Sequence, residues 1–422
     1  MQQAIRAGIV ALVIMAGVTG PAYAQPALGE SVDTLLEYAK THNPDFAAMR
    51  HEADAANERI IPAGALPDPR LQVELRDITR MGAQDPTLSP SRVGSTRYVL
   101  MQDIPWFGKR DLKREIAELE AAGVKGRAIS SWSELASRIK TSYAQLYYIH
   151  RNQQLSEEIL TLISQLEKIA QVRYAGGLAA QQDVIRAQME KTSIRSELVM
   201  LENELVQARS RMNALLARPQ NAPLAEPARL RPLPAPVKLD YAALEERVRT
   251  RNPQIFSEDA RMKAAEKSRE LTYKNRYPDF SVGVSPIQYG NSIKEWELMF
   301  SINIPLQQSS RRSQEREAES MLAAARSRKD AAVNTVLSDL TSNLSGLEAI
   351  RRVEQLTETS LLPQANLTLQ SALASYENGK VDFATVMDAQ KQIRTAKQSL
   401  IKAQAEGQMR LAELERLIGD EL

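Results

Sequence analysis

Apolar positions along the chain keep two rhythms. Leu155, Ile159, Leu162, Leu166 and Ile169 are spaced alternately four and three apart, and so are Ile194, Leu198, Leu201, Leu205, Ala208, Met212 and Leu215. Such spacing is the a/d seam of helices packed side by side. Gly176-Gly177 lies between the two runs and breaks the helix. The pattern predicts two long antiparallel helices joined by a tight turn. Elsewhere the period is two. Leu71, Val73 and Leu75 alternate with Gln72, Glu74 and Arg76; Phe280, Val282 and Val284 alternate with Ser281, Gly283 and Ser285. Clearest is Trp296, Leu298, Phe300, Ile302 and Ile304 against Glu297, Ser301 and Asn303. Strands of about ten residues with one apolar and one small or polar face suit a transmembrane barrel, or a soluble sheet with one buried face.

The helical pattern is written twice. Adding 202 to Tyr174, Gly177, Val184, Ala187, Gln188, Leu198, Glu204 and Leu215 gives Tyr376, Gly379, Val386, Ala389, Gln390, Leu400, Glu406 and Leu417. A fixed offset held from a turn to a helix end marks an internal duplication.

The elements preceding each hairpin repeat as well. A short amphipathic helix, Ser31 to Thr41, is stopped by Asn43-Pro44-Asp45, which caps the next helix. Asp240 to Arg251 and Asn252-Pro253 do the same in the second half. Both new helices are expected to run about 20 residues, to Ala65 and Asn275, before Pro67-Asp68 and Pro278-Asp279. Strands are expected at about 70–78 and 95–104, then at about 279–286 and 294–304. The linking segments Arg80 to Ser95 and Pro286 to Ser292 are rich in turn formers and are read as loops outside the cell. The second strand of each pair ends at a proline, Pro105 or Pro305.

Helical hairpins follow, at 107–218 and 306–419. Each begins with a descending helix of about 65 residues, roughly 100 Å long. Pro363 is expected to kink or restart the second. The return helices, Leu178 to Arg218 and Lys380 to Gly419, run about 40 residues. A return helix and a 20-residue ascending helix, stacked end to end, match one descending helix and keep a cylinder wall continuous. The domain reading is therefore a repeat over 25–218, a connector over 219–238 carrying six prolines, and a repeat over 239–422.

Composition removes most other functions. Lys plus Arg (54) nearly balance Asp plus Glu (52), so no nucleic acid partner is implied. With no cysteine there is no disulfide, thiol catalysis or lipid anchor through cysteine. Only His42, His51 and His150 are available as imidazole ligands, and they are scattered, so no metal site is expected. No phosphate loop or nucleophile motif occurs, so the chain reads as no enzyme and needs no cofactor. Residues 1–24 read as a signal peptide: Arg6, then the apolar run Gly8 to Val18, then Ala22-Tyr23-Ala24 before Gln25. An exported chain without another apolar run of about 18 residues meets a membrane, if at all, through strands. Four strands cannot close a barrel, and an open edge is not viable in lipid, so closure requires several chains.

The order helix, hairpin, long helix, turn and return helix is duplicated across the whole mature chain. With Asn-Pro, Pro-Asp-Pro, Pro105-Trp106-Phe107-Gly108-Lys109 and Tyr-x-x-Gly in their places, it resembles the TolC-like outer-membrane factor family. The resemblance implies a mainly α fold with a transmembrane β part: a homotrimer whose twelve-stranded β-barrel continues as a twelve-helix α-barrel. It implies the outer membrane of a Gram-negative bacterium, with the helices reaching into the periplasm. It implies partners too, a periplasmic adaptor (membrane fusion) protein and an inner-membrane pump of the RND type. Ala63 to Leu71 and Gln102 to Arg110 look most like the heavy-metal-efflux branch, and metal ions, drugs and polypeptides stay open as cargo. A periplasmic coiled-coil adaptor is the rival from another class, and a type I secretion exit channel is the alternative within this one.

The resemblance also assigns sites. The family often places acidic residues nine and twelve positions after the second tyrosine, at a constricted periplasmic aperture. Here those positions are Thr385 and Asp388. Three copies of Asp388 would form an anionic ring favouring cations, with Asp382 as a second contributor. The plain alternative is an exposed helical Asp with no role. The turns, with Tyr174, Gly176, Gly177 and Leu178 in one and Tyr376, Asn378, Gly379 and Lys380 in the other, are the candidate adaptor contacts. Pro105, Gly108, Lys109 and Pro305 mark the barrel–tunnel junction. There Lys109 and Arg110 are placed to meet lipid headgroups or line the tunnel, or equally are surface charges with no measurable role. Trp106 and Trp296 fit an interfacial aromatic belt, or buried packing.

Overall fold

The computed structural model describes residues 28–422, so the expected signal segment 1–24 lies outside the described residues. Helices α1 (Val32–His42), α2 (Pro44–Glu58) and α3 (Ile60–Gly64) lead into strands β1 (Arg70–Arg76) and β2 (Ser95–Ile104). Then come α4 (Lys109–Ala175) and α5 (Gln181–Leu215). The second half runs α6 (Tyr241–Arg251), α7 (Pro253–Lys274), β3 (Phe280–Tyr289), β4 (Ser292–Ile302), α8 (Gln308–Leu356), α9 (Leu362–Glu377) and α10 (Phe383–Ile418). The strands form one antiparallel sheet in the order β1-β2-β3-β4.

The Asn-Pro signals do two jobs at once. The Asn43 side chain accepts from Phe46 N–H at 3.0 Å, capping α2, and donates to Leu215 O at 2.9 Å, where α5 ends. Asn252 accepts from Ile255 N–H at 3.0 Å and donates to Leu417 O at 2.8 Å near the end of α10. Leu215 and Leu417 are again 202 apart. One buried amide thus satisfies orphan groups at two helix ends, which stacks α2 on α5 and α7 on α10.

The core follows the seams. One cluster packs Leu35 and Ala39 of α1 on Ile139 of α4 and Met212 of α5; its counterpart packs Leu244 and Val248 of α6 on Leu340 of α8 and Leu414 of α10. A third joins the two hairpins through Ile163 and Leu166, Ile194, Leu369, and Phe383 and Val386.

Some boundaries differ from the sequence expectation, each for a local reason. The helix expected to reach Ala65 breaks after Glu58, because the Pro62 ring clashes with the carbonyl four residues back. β1 stops at Arg76 rather than 78, since Asp77 takes φ 55°, and its carboxylate accepts from Met81 N–H at 2.9 Å. The second loop is far shorter than read. β3 runs on to Tyr289, which pairs with Ser292, leaving Gly290-Asn291 as a two-residue turn with Gly290 at φ 62°. The return helices begin at Gln181 and Phe383, beyond the turns, so they are shorter than 40 residues. Ahead of Pro363, Thr357–Leu361 forms a π-helical turn. It lies between Pro305 and Tyr376, a span two residues longer than Pro105 to Tyr174, and a widened turn is how a helix accommodates inserted residues.

Candidate functional site: helical tips and strand–helix junction

The two tips close with the same hydrogen bonds. Leu178 N–H donates to Arg173 O and Lys380 N–H to Ser375 O, both at 2.8 Å; Gly177 N–H donates to Tyr174 O and Gly379 N–H to Tyr376 O, both at 3.0 Å. Gly177 and Gly379 each sit at φ 69°, the left-handed conformation this closure requires. Gly176 and Asn378 occupy the C-cap positions. Tyr174, Leu178, Asn378, Gly379 and Lys380 are all exposed, while Tyr376 is buried. The repeated tyrosines therefore differ in role.

Tyr376 is buried against Phe383, ring centroids 5.4 Å apart, with the Arg173 guanidinium 4.8 Å over its face. Arg173 also donates to Glu377 O at 2.7 Å and Leu178 O at 3.3 Å, so one cation from the first tip caps the C-terminus of α9 in the second. Burial, and then the nearby Asp183 carboxylate, push the Tyr376 hydroxyl above its ordinary range. Sequence reasoning passed over Arg173. Its only signal was a basic residue in the last turn of a long helix.

Asp382 caps α10. Its carboxylate accepts from the Thr385 amide at 2.9 Å and the Thr385 hydroxyl at 2.7 Å. That hydroxyl and amide, with the Arg186 charge, hold the Asp382 carboxyl below the usual carboxylate range. Asp382 and Thr385 thus act as one capping unit. Asp388 is exposed on α10, about 8 Å beyond its first residue. The offset of 202 places Arg186 of α5 at the level of Asp388, and Asp183 at the level of Thr385. Counting Asp388 alone had missed this basic counterpart.

At the other end of the long helices, Trp106 N–H and Lys109 Nζ donate to one oxygen of Asp279, at 2.7 and 2.9 Å. Lys109 also donates to Tyr277 O at 3.0 Å and is buried, which corrects its reading as a surface charge. Burial raises the Asp279 carboxyl, but Lys109 and the Trp106 amide outweigh it and hold the group below its usual range. Arg110 is half-buried, its Nε donating to Gly64 O at 2.9 Å. Gly108 stands at φ 77°, and a Cβ there would meet Lys274 Nζ at 2.3 Å. Pro305, half-exposed, accepts from the Gln308 side chain at 3.0 Å at the start of α8. Trp106 stacks on Tyr277 at 5.1 Å and is half-buried, whereas Trp296 is exposed.

The register separates the faces of the sheet. Leu71 opposes Leu100, Leu100 opposes Val284, and Val284 opposes Leu298, all on one face. Leu298 is 80% exposed and Phe300 69%. The other face carries the charged side chains, with Val99, Met101, Ile287 and Met299 set among them. Arg97 bonds Ser285 at 2.9 Å, reaches Glu74 at 3.9 Å and pairs with Glu297, while Asp103 joins Arg70 and Ser281. Among the described residues no helix is long and apolar enough to cross a membrane.

Comparison with known proteins agrees with this geometry. The chain is 22% identical to the cobalt-zinc-cadmium resistance protein CzcC of Cupriavidus metallidurans, covering 94% of this chain and 92% of that one. It is also 22% identical to the pyoverdine export outer membrane protein OpmQ of Pseudomonas aeruginosa, covering 92% and 83%. The crystal structure of CusC, described in terms of folding and transmembrane channel formation, superposes with a TM-score of 0.78 at 17% identity, over 95% of this chain and 98% of that one. The sequence profile of the outer membrane efflux protein family matches residues 35–218 and 244–420, taking in most of both repeats. By that match, the chain belongs to the outer membrane efflux protein family.

Proposed function

We propose that the chain is the outer-membrane duct of a tripartite efflux assembly, a homotrimer that carries cargo passively from an inner-membrane RND-type pump and its periplasmic adaptor to the outside. The observation that carries this reading is the sheet: four strands, open at β1 and β4, apolar on one face and charged on the other. Three such sheets side by side make a twelve-stranded barrel with lipid outside and water within. The helices support the same closure. α4 packs against α10 within the chain, leaving α5 and α8–α9 at the flanks. Those flanks expose Met189, Val199 and Val206 on one and Leu356, Leu361 and Leu367 on the other. A neighbouring copy on each side would cover them and complete a twelve-helix tunnel.

The tips face the adaptor, where Gly177 and Gly379 admit a close backbone. The aperture ring is of mixed charge, with Arg186 and Asp388 alternating around the axis instead of carboxylates alone. Cargo is selected by the pump. CzcC and OpmQ are named for metal resistance and for pyoverdine export, yet are equally identical to this chain.

Single-channel recording in planar bilayers tests the aperture. Asp388→Ala removes the ring's negative charges and leaves Arg186, so selectivity moves toward anions and the leak conductance of the closed state rises. Conductance and reversal potential equal to the parent's would remove Asp388 from the aperture.

A further inference from the structure

The duplication supplies a measured template for a contact between copies. Within the first hairpin Arg70 opposes Met101 and Leu71 opposes Leu100; within the second Ser281 opposes Ser301 and Val282 opposes Phe300. Both hairpins superimpose in sequence with β1 displaced from β3 by 211 positions and β2 from β4 by 200. The same offsets match Asp68 to Asp279, and Pro105 to Pro305. The two hairpins are then joined inside the chain by β2 against β3, with Ile104 opposite Phe280, Met101 opposite Gly283 and Arg97 opposite Ile287.

We propose that β4 of one copy pairs antiparallel with β1 of a second copy in the register obtained by carrying that β2–β3 junction through the two offsets. Ile302 then opposes Leu71 of the second copy, Ser301 opposes Gln72, Phe300 opposes Val73, Leu298 opposes Leu75, and Glu297 opposes Arg76. This inference rests on the shared-barrel reading and adds the register and the facing residues.

The side chains fit without having been used to set the alignment. Leu71, Val73 and Leu75 meet Ile302, Phe300 and Leu298, so the apolar face continues unbroken across the seam. On the polar face Glu297 meets Arg76, an opposite-charge pair. Alternative registers fit worse. Slipping by one residue turns the apolar face into the lumen. Slipping by two in one direction sets Glu297 opposite Glu74, a destabilising like-charge pair; in the other direction Glu297 passes beyond the end of β1. The same construction sets Asp68 of the second copy beside Leu306 N–H, as Asp279 sits at Trp106 N–H within the chain. α8 begins without a side-chain cap of its own.

The absence of cysteine makes disulfide trapping direct. Gln72→Cys and Ser301→Cys are introduced together into the full chain in outer membranes and oxidised, with each single variant alongside. Directly opposed Cβ atoms lie within reach of a disulfide, so the double variant gives dimers and trimers on non-reducing gels. The crosslinked fraction should exceed that of Gln72→Cys paired with Met299→Cys or Asn303→Cys by about fivefold or more, because diagonal neighbours lie too far apart. The mass of the reduced protein in detergent separates the two ways of failing. Three chains with strongest crosslinking at 299 or 303, or none, overturns the register and leaves the barrel standing. A single chain overturns both.

Discussion

Leu298→Arg should remove the protein from the outer-membrane fraction. Leu298 is the most exposed apolar residue of β4, near mid-strand on the face continuous with Leu100 and Val284. A guanidinium at mid-depth on the lipid face of a barrel costs about 2–4 kcal/mol, and each of the three copies would bear that cost in one closed structure. Chains that cannot close leave β1 and β4 unpaired, and unpaired edges are untenable in lipid. The variant should therefore accumulate as aggregated or degraded material and give no heat-resistant trimer. Ser301→Arg, three residues on and on the opposite face of the sheet, should insert normally, since in the proposed barrel that face meets water, which solvates the added charge. Quantitative immunoblotting of fractionated envelopes checks both. Equal recovery of the two variants would mean that the Leu298 face does not contact lipid.

Phe383→Ala should loosen the tips. Phe383 is fully buried, touches Tyr376 at 5.4 Å, and stands at the first turn of α10 directly after the Asp382 cap. Truncating a buried phenylalanine costs about 3–5 kcal/mol when the cavity cannot collapse. Here the walls belong to four helices held by Arg173 across the two tips, which restricts collapse. The loss is local. Amide exchange at the end of α9 and the start of α10 should accelerate by about two orders of magnitude or more, while exchange near Asn43 and Asn252 stays at the parent rate. Phe107, 78% exposed at the other end of the long helices, is the control. Unchanged tip protection in Phe383→Ala would show that the ring does not hold the tips together.

Much of the fold is legible in the chain because its signals are local. Four-three spacing gives the helices, alternation gives the strands, and Asn-Pro gives helix starts. The duplication turns each of these into two independent sightings, which is why β2 at 95–104 and the tip glycines could be read directly. Other features were visible but outweighed. Pro62 announces the break after Glu58, and Gly290-Asn291 is a hairpin turn hidden in a stretch read as one loop. The remainder depends on partners far along the sequence. Lys109 is buried because Asp279, 170 positions on, comes to meet it. Arg173 gains its role from a carbonyl 204 positions away. In the proposed aperture the mixed charge follows from the offset of 202, which sets Arg186 at the level of Asp388, an equivalence that appears only when both repeats are laid in one ring. Periodicity specifies which face of an element is buried, and it is silent on what arrives to cover that face.

The most direct test of a shared outer-membrane barrel is the mass of the detergent-solubilised particle, corrected for bound detergent. Three chains per particle, retaining the helix content of the folded protein, is the predicted result. A particle of one chain that stays folded when detergent is withdrawn would contradict it, since the four strands would then be a soluble sheet with no lipid-facing side.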